Sequence, residues 1–132
     1  MRILIADDIV LARQLLVQAL KSYGDIEVAA NGQQAIECFH KAWKEEKPFD
    51  IIFLDIMMPE MDGHEALRII RHFEKVNSVS HPVKVVISTA LGDSENVLSS
   101  FKEGAEFYLV KPIELKRLYG IMSDMGFHKA SV

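Results

Sequence analysis

The chain contains one cysteine, Cys38, so an internal disulfide framework is excluded. Cys38 lies in a stretch that reads as helix, with no activating base nearby, and is expected to be a reduced, partly packed thiol. No apolar run is long enough to cross a membrane, because the longest are strand-sized and are broken by Asp7 or Asp55. The short apolar stretch at the N-terminus ends in two acids and lacks the cleavage site of a signal peptide, so a cytoplasmic protein is expected. Basic charge is not in excess. The net charge of −4 argues against a nucleic-acid-binding face on the whole domain. Linkers, low-complexity tracts and internal repeats are absent. What is present is 132 residues at 49% hydrophobic content, enough for one domain with a real core.

Short apolar strands alternate with amphipathic helical stretches. The first strand is expected from Arg2 to Ala6. A helix is expected from Val10 to Tyr23, with Leu11, Leu15, Leu16, Ala19 and Leu20 at helical spacing and Gly24 as its stop. A short edge strand is expected from Ile26 to Ala30, and a helix from Gln33 to about Lys47 with Ala35, Ile36, Phe39, Ala42 and Trp43 inward. Asp50 to Leu54 is apolar on both faces, the pattern of a central parallel strand. A helix from His64 to about Lys75 follows, then a strand from Val83 to Ser88. The next helix runs from Ser94, its N-cap, to Glu103, with Val97, Leu98 and Phe101 inside. A strand from Phe107 to Val110 and a helix from Ile113 to about Met125 complete the pattern. Residues 1–126 are expected to form the domain and 127–132 a C-terminal tail. Five strand–helix units imply a doubly wound α/β fold with a parallel sheet and helices on both faces. In such folds the working site lies at the carboxyl ends of the strands.

The residues at those ends are Asp7 and Asp8, then Asp55, then Ser88-Thr89-Ala90, then Lys111-Pro112. Each has an ordinary explanation alone: a strand-end Asp caps a helix, a hydroxyl satisfies a turn, a lysine is solvated. All of them together, each at one rim, fit phosphoryl transfer to a carboxylate. A carboxylate can act as nucleophile toward a phosphoryl group, and a hard divalent cation must offset the crowded charge. Lys111 can pair with Asp55 or with a phosphoryl oxygen, and Thr89 can donate its hydroxyl to another.

These motifs carry a resemblance that covers nearly the whole chain. Ala6-Asp7-Asp8, Leu54-Asp55 with the run Ile56-Met57-Met58-Pro59-Glu60-Met61-Asp62-Gly63, Ser88-Thr89-Ala90, Gly104-Ala105 and Lys111-Pro112 occur in the order and spacing of a response-regulator receiver domain of two-component signalling. The chemotaxis receiver, a member of this family, has a flavodoxin-like sheet of strand order 2-1-3-4-5. The resemblance implies that Asp55 takes a phosphoryl group from a histidine kinase or a histidine phosphotransfer protein. It implies that Asp7, Asp8 and Asp55, with the Met57 backbone carbonyl, hold Mg2+, and that Thr89 and Lys111 contact the phosphoryl group. It implies a typically cis Lys111-Pro112 bond. It implies a switch coupling Thr89 to Tyr108, which changes contacts with a downstream protein through a face including Lys102, Glu103, Lys116 and Arg117.

Met57 and Leu91, each two residues beyond a site residue, stand where family members tune the lifetime of the phosphoryl group. Both are apolar here, so slow autodephosphorylation is expected. With no effector domain after the last helix, the chain is expected to be a stand-alone receiver unless it is a fragment of a longer protein. The five histidines show no metal-ligand spacing and are expected at the surface. Three rival readings differ in specific residues. A haloacid-dehalogenase-type phosphatase expects an acid two residues after Asp55, where Met57 stands. A flavodoxin-type carrier needs a phosphate loop where Asp7-Asp8 would repel phosphate. A degenerate receiver would not keep Asp55, Thr89 and Lys111 together.

Overall fold

The computed structural model describes residues 1–90 and 92–130. The chain runs β1 (Arg2–Ala6), α1 (Val10–Leu20), β2 (Asp25–Ala29), α2 (Gly32–Lys44), β3 (Ile51–Asp55), α3 (Gly63–Val76), β4 (Lys84–Ala90), α4 (Ser94–Lys102), β5 (Phe107–Lys111) and α5 (Leu115–Asp124). The strands form one sheet in the order β2-β1-β3-β4-β5, parallel throughout. This is the expected doubly wound, flavodoxin-like architecture. No helix among the described residues is long and apolar enough to cross a membrane.

Strand alternation divides the core in two. Ile52 and Leu54 of β3 point to the face covered by α2 and α3, where Phe39, Leu67 and Ile70 pack. Ile51 and Phe53 point to the face covered by α1 and α5, among Leu16, Leu20, Leu118 and Ile121. All five residues of β3 are buried, so the strand needs apolar side chains on both faces.

Three expectations require correction. First, α1 ends at Leu20 and not at Tyr23, because the chain turns through residues 21–24 to bring Asp25 N–H onto the Met1 carbonyl at 2.9 Å. Gly24 serves that close approach: a Cβ there would stand 2.1 Å from the Met1 carbonyl oxygen. Leu11 and Leu15 of this helix are exposed, and Leu16, Ala19 and Leu20 are its buried face.

Second, Ser94 is not an N-cap. Asp93 precedes α4, and its carboxylate accepts from the Asn96 side chain at 2.6 Å and caps no backbone N–H. Third, α4 does not turn Leu98 and Phe101 inward; they are 62% and 41% exposed, and Ser100 is the one fully buried residue of the helix. The polar contacts of α4 with α3 are made by Asn96 and by its C-cap Glu103, and the Ser100 hydroxyl donates within the helix to the Asn96 carbonyl.

The strands also reach further than their apolar runs. β3 includes Asp55, β4 extends through Ser88 and Thr89 to Ala90, and β5 includes Lys111. Asp55 and Lys111 are thus the last members of their strands, while Asp7 and Asp8 follow β1 directly; Asp55 is paired to Ser88 and Ala90 to Lys111. Beyond α5, Phe127 packs on the core facing α1 and α5, and Ala130 N–H bonds Ser22 O at 2.7 Å.

Candidate functional site

β3 delivers Asp55 to the rim, 4% exposed, and β1 delivers Asp7, 1% exposed, with exposed Asp8 beside it. One carboxylate oxygen from each of the three lies within 4.8 Å of the others. Lys111, at the end of β5, reaches over both buried acids. Its Nζ donates to Asp55 Oδ2 at 2.8 Å and stands 2.9 Å from Asp7 Oδ2. The Lys111–Pro112 peptide bond is cis.

The backbone holds the acids in place. Ile9 N–H donates to Asp7 Oδ1 at 2.9 Å and Met57 N–H to Asp55 Oδ1 at 3.2 Å. Arg13 donates to the Asp7 carbonyl at 2.7 Å, a contact that nothing in the spacing of the sequence marks. Behind Asp55 the loop closes through Gly63 N–H to the Ile56 carbonyl at 2.9 Å. Only glycine fits there, since a Cβ would lie 2.5 Å from the Asp55 carbonyl oxygen. Asp62 caps α3 directly before it, accepting from Glu65 N–H at 2.9 Å.

Burial pushes the Asp55 pKa up, and the negative charge of Asp7 adds to this; the hydrogen bond and charge of Lys111 oppose it without cancelling it. Burial alone would lower the Lys111 pKa, but its bonds to Asp55 and Asp7 outweigh this and raise it. The ammonium is therefore firmly charged, while the central carboxylate is held in an environment that resists its charge.

Thr89 is buried one residue beyond the Asp55 partner Ser88, and its Oγ1 has no hydrogen-bond partner among the described residues. Tyr108 does not bond it. The Tyr108 ring packs edge-on against Phe101 at 5.9 Å, and the Arg117 guanidinium stands over it at 5.8 Å. A cavity of about 200 Å³ is lined by Thr89, Val97, Tyr108 and Val110. Met57 is 67% exposed beside Asp55. Leu91 lies outside the described residues.

The structure thus brings Asp7, Asp8, Asp55 and Lys111 into contact range and leaves Thr89 and Tyr108 unconnected across a cavity. It also corrects the expectation that all histidines are at the surface. The His64 side chain is 12% exposed, held between α3 and α4 by Asn96 and Glu103.

Comparison with known proteins agrees with this geometry. The model of the response regulator receiver domain family matches residues 3–123. The chemotaxis protein CheY of Listeria monocytogenes is 35% identical over 118 residues, covering 89% of this chain and 92% of that protein. CheY of Thermotoga maritima is 33% identical over 128 residues, covering 95% and 97%. Among solved structures, the receiver domain of yeast Ssk1, crystallised with the histidine phosphotransfer protein Ypd1, superposes with a TM-score of 0.84 at 30% identity, covering 96% of this chain and 88% of that one. Borrelia burgdorferi CheY, from a CheX–CheY–BeF3–Mg complex, superposes with a TM-score of 0.81 at 30% identity, covering 95% and 89%. A family match over nearly the whole chain, on a sheet of order 2-1-3-4-5 with an acidic rim, establishes that this protein belongs to the response regulator receiver domain family of two-component signalling.

Proposed function

We propose that Asp55 is the phosphoryl acceptor of this receiver. The observation that carries the reading is the Asp55 carboxylate, buried at the end of β3 and bonded to Lys111 within reach of Asp7 and Asp8. An Asp55 oxygen attacks the phosphorus of a phosphohistidine. The P–O bond forms as the P–N bond breaks, the imidazole nitrogen leaves with the electron pair and takes up a proton, and an acyl phosphate remains.

The donor set fits Mg2+. Three carboxylates facing one ammonium leave two negative charges in a small volume, and all of the donors are hard oxygens. Asp7, Asp8, Asp55 and the Met57 carbonyl would hold the ion, which when bound offsets the charge of the acids and of the incoming phosphoryl oxygens. Lys111 pairs with the transferred group, and the unpartnered Thr89 hydroxyl supplies a donor to it. Movement of Thr89 toward that group enlarges the cavity beside Tyr108, and the ring turns inward to fill it. Phosphorylation in this way alters the surface formed by α4, β5 and α5.

Ile9 and Met57, whose backbone N–H groups bond Asp7 and Asp55, are exposed, as are Val10 and Leu11 that follow Ile9 in the first turn of α1. Apolar residues in such a position favour a partner protein that presents its histidine to Asp55, a kinase or a phosphotransfer protein. On this reading the protein is a phosphoacceptor rather than an enzyme with a separate substrate, and it works in the cytoplasm beside its donor.

The test is incubation with acetyl phosphate and Mg2+, followed by intact mass. The reading expects one phosphoryl adduct that is lost in Asp55→Ala. No adduct with acetyl phosphate or a phosphorylated phosphotransfer protein favours a degenerate binding module, and turnover of phosphate esters favours a phosphatase.

A further inference from the structure

His64 is the second residue of α3, directly after Gly63 and the loop that leaves Asp55. Its ring lies between two groups of α4. Nε2 is 2.9 Å from Asn96 Oδ1, and Nδ1 is 3.1 Å from Glu103 Oε2. Glu103 offers a carboxylate, which only accepts. The orientation of the Asn96 amide is settled independently, because its Nδ2 donates to Asp93 Oδ2 at 2.6 Å and so turns its oxygen toward His64. Both ring nitrogens therefore face acceptors. A neutral imidazole has one N–H and can satisfy one of them; the imidazolium satisfies both.

The other charged groups facing the ring are few. Glu103 shares its second oxygen with Arg68 of α3 at 3.1 Å, and Asp93 stands behind Asn96. Asp62 and Glu65 flank His64 on its own segment. The ring is 12% exposed and the Glu103 side chain 21%, so the contacts are little diluted by water.

Asn96 is in the first turn of α4 and Glu103 is its C-cap, so a single ring grips both ends of the helix. This helix also lines the cavity between Thr89 and Tyr108 through Val97. We propose that protonated His64 clasps α4 to α3 in the unphosphorylated arrangement, and that loss of its proton loosens the clasp and makes the switch easier to throw. His64 is thus a positioning residue that makes the response to phosphorylation sensitive to pH. The proposal rests on the reading of Asp55 as acceptor.

BeF3 with Mg2+ serves as the probe, its half-saturation read from amide resonances of β5 in the full chain. A BeF3-induced shift in the wild type that is lost in Asp55→Ala tests the acceptor reading by itself. Given that shift, His64→Ala should lower the half-saturating concentration about tenfold at a pH where the wild-type ring carries two protons, as expected for loss of a hydrogen bond between charged groups. The ratio between wild type and His64→Ala should fall toward one as pH rises through the titration of His64, followed by its own ring signals. Asn96→Ala, which leaves one bond of the clasp, should give an intermediate effect and report on the clasp if His64→Ala folds poorly. Equal half-saturation in wild type and both variants, or a ratio that does not change as His64 titrates, would overturn the proposal while leaving the acceptor reading intact.

Discussion

The Lys111 ammonium donates to Asp55 Oδ2 at 2.8 Å, a bond between residues 56 positions apart that ties the end of β5 to the end of β3 across the width of β4. It is the only cation paired with Asp55 among the described residues, and it stands equally close to Asp7. Replacing it with an apolar side chain leaves two buried carboxylates facing each other. Lys111→Met should lower the unfolding free energy by about 1–3 kcal/mol, below the range for a fully buried pair because a quarter of the Lys111 side chain is exposed. Saturating Mg2+ should restore part of the loss. Urea unfolding with and without Mg2+ checks both statements.

The raised pKa of Asp55 sets a pH dependence. The ordinary value is 3.8, and the folded protein keeps this proton to higher pH than the unfolded chain. Its contribution to stability is full below the ordinary value and is lost as pH rises through the raised folded value. Asp55→Asn cannot ionise and escapes that loss. Without Mg2+, the stability advantage of Asp55→Asn over wild type should grow with pH across this window and then level off. Lys111 acts at the alkaline end, where its contribution, present below 10.5, is lost as pH rises through its raised folded value. Unfolding curves over a pH series separate the two.

Thr89 Oγ1 is buried and unpartnered, so the hydroxyl adds little to the resting fold. Thr89→Ala should change stability by no more than about 1 kcal/mol. It should nevertheless uncouple Tyr108: phosphorylation or BeF3 with Mg2+ should no longer shift the Tyr108 ring resonances. A large loss of stability, or an intact Tyr108 response, would contradict the assigned role.

Met57 stands exposed beside Asp55 with no group able to orient water. Met57→Asn and Leu91→Glu should each speed loss of the phosphoryl group, together by about tenfold or more. Decay of the phosphorylated mass species over time measures it, and unchanged decay would show that these positions do not govern the lifetime.

Much of the architecture was legible because burial demands it. β3 sits mid-sheet, and Ile51-Ile52-Phe53-Leu54 is apolar at every position for that reason. The polar residues at strand ends pointed to the site because nothing in a packed core calls for Asp7, Asp55 and Lys111 there. Apolar periodicity misled at α4, where Asn96 and Glu103 make the bonds to α3 and Leu98 and Phe101 look outward. It misled again in the first turn of α1, where Leu11 is 76% exposed. The placement of His64 was not legible at all, because its partners lie 32 and 39 residues away and only the tertiary fold unites them.

A phosphoryl group carried on Asp55 would be an acyl phosphate, which hydride reduces. The most direct test is to phosphorylate the protein with acetyl phosphate and Mg2+, reduce the acyl phosphate with borohydride to the corresponding alcohol, and locate the reduced residue by peptide mass spectrometry. Reduction is expected at residue 55 alone, dependent on Mg2+. Reduction at Asp7 or Asp8 with residue 55 unmodified, or labelling that persists in Asp55→Ala, would contradict it.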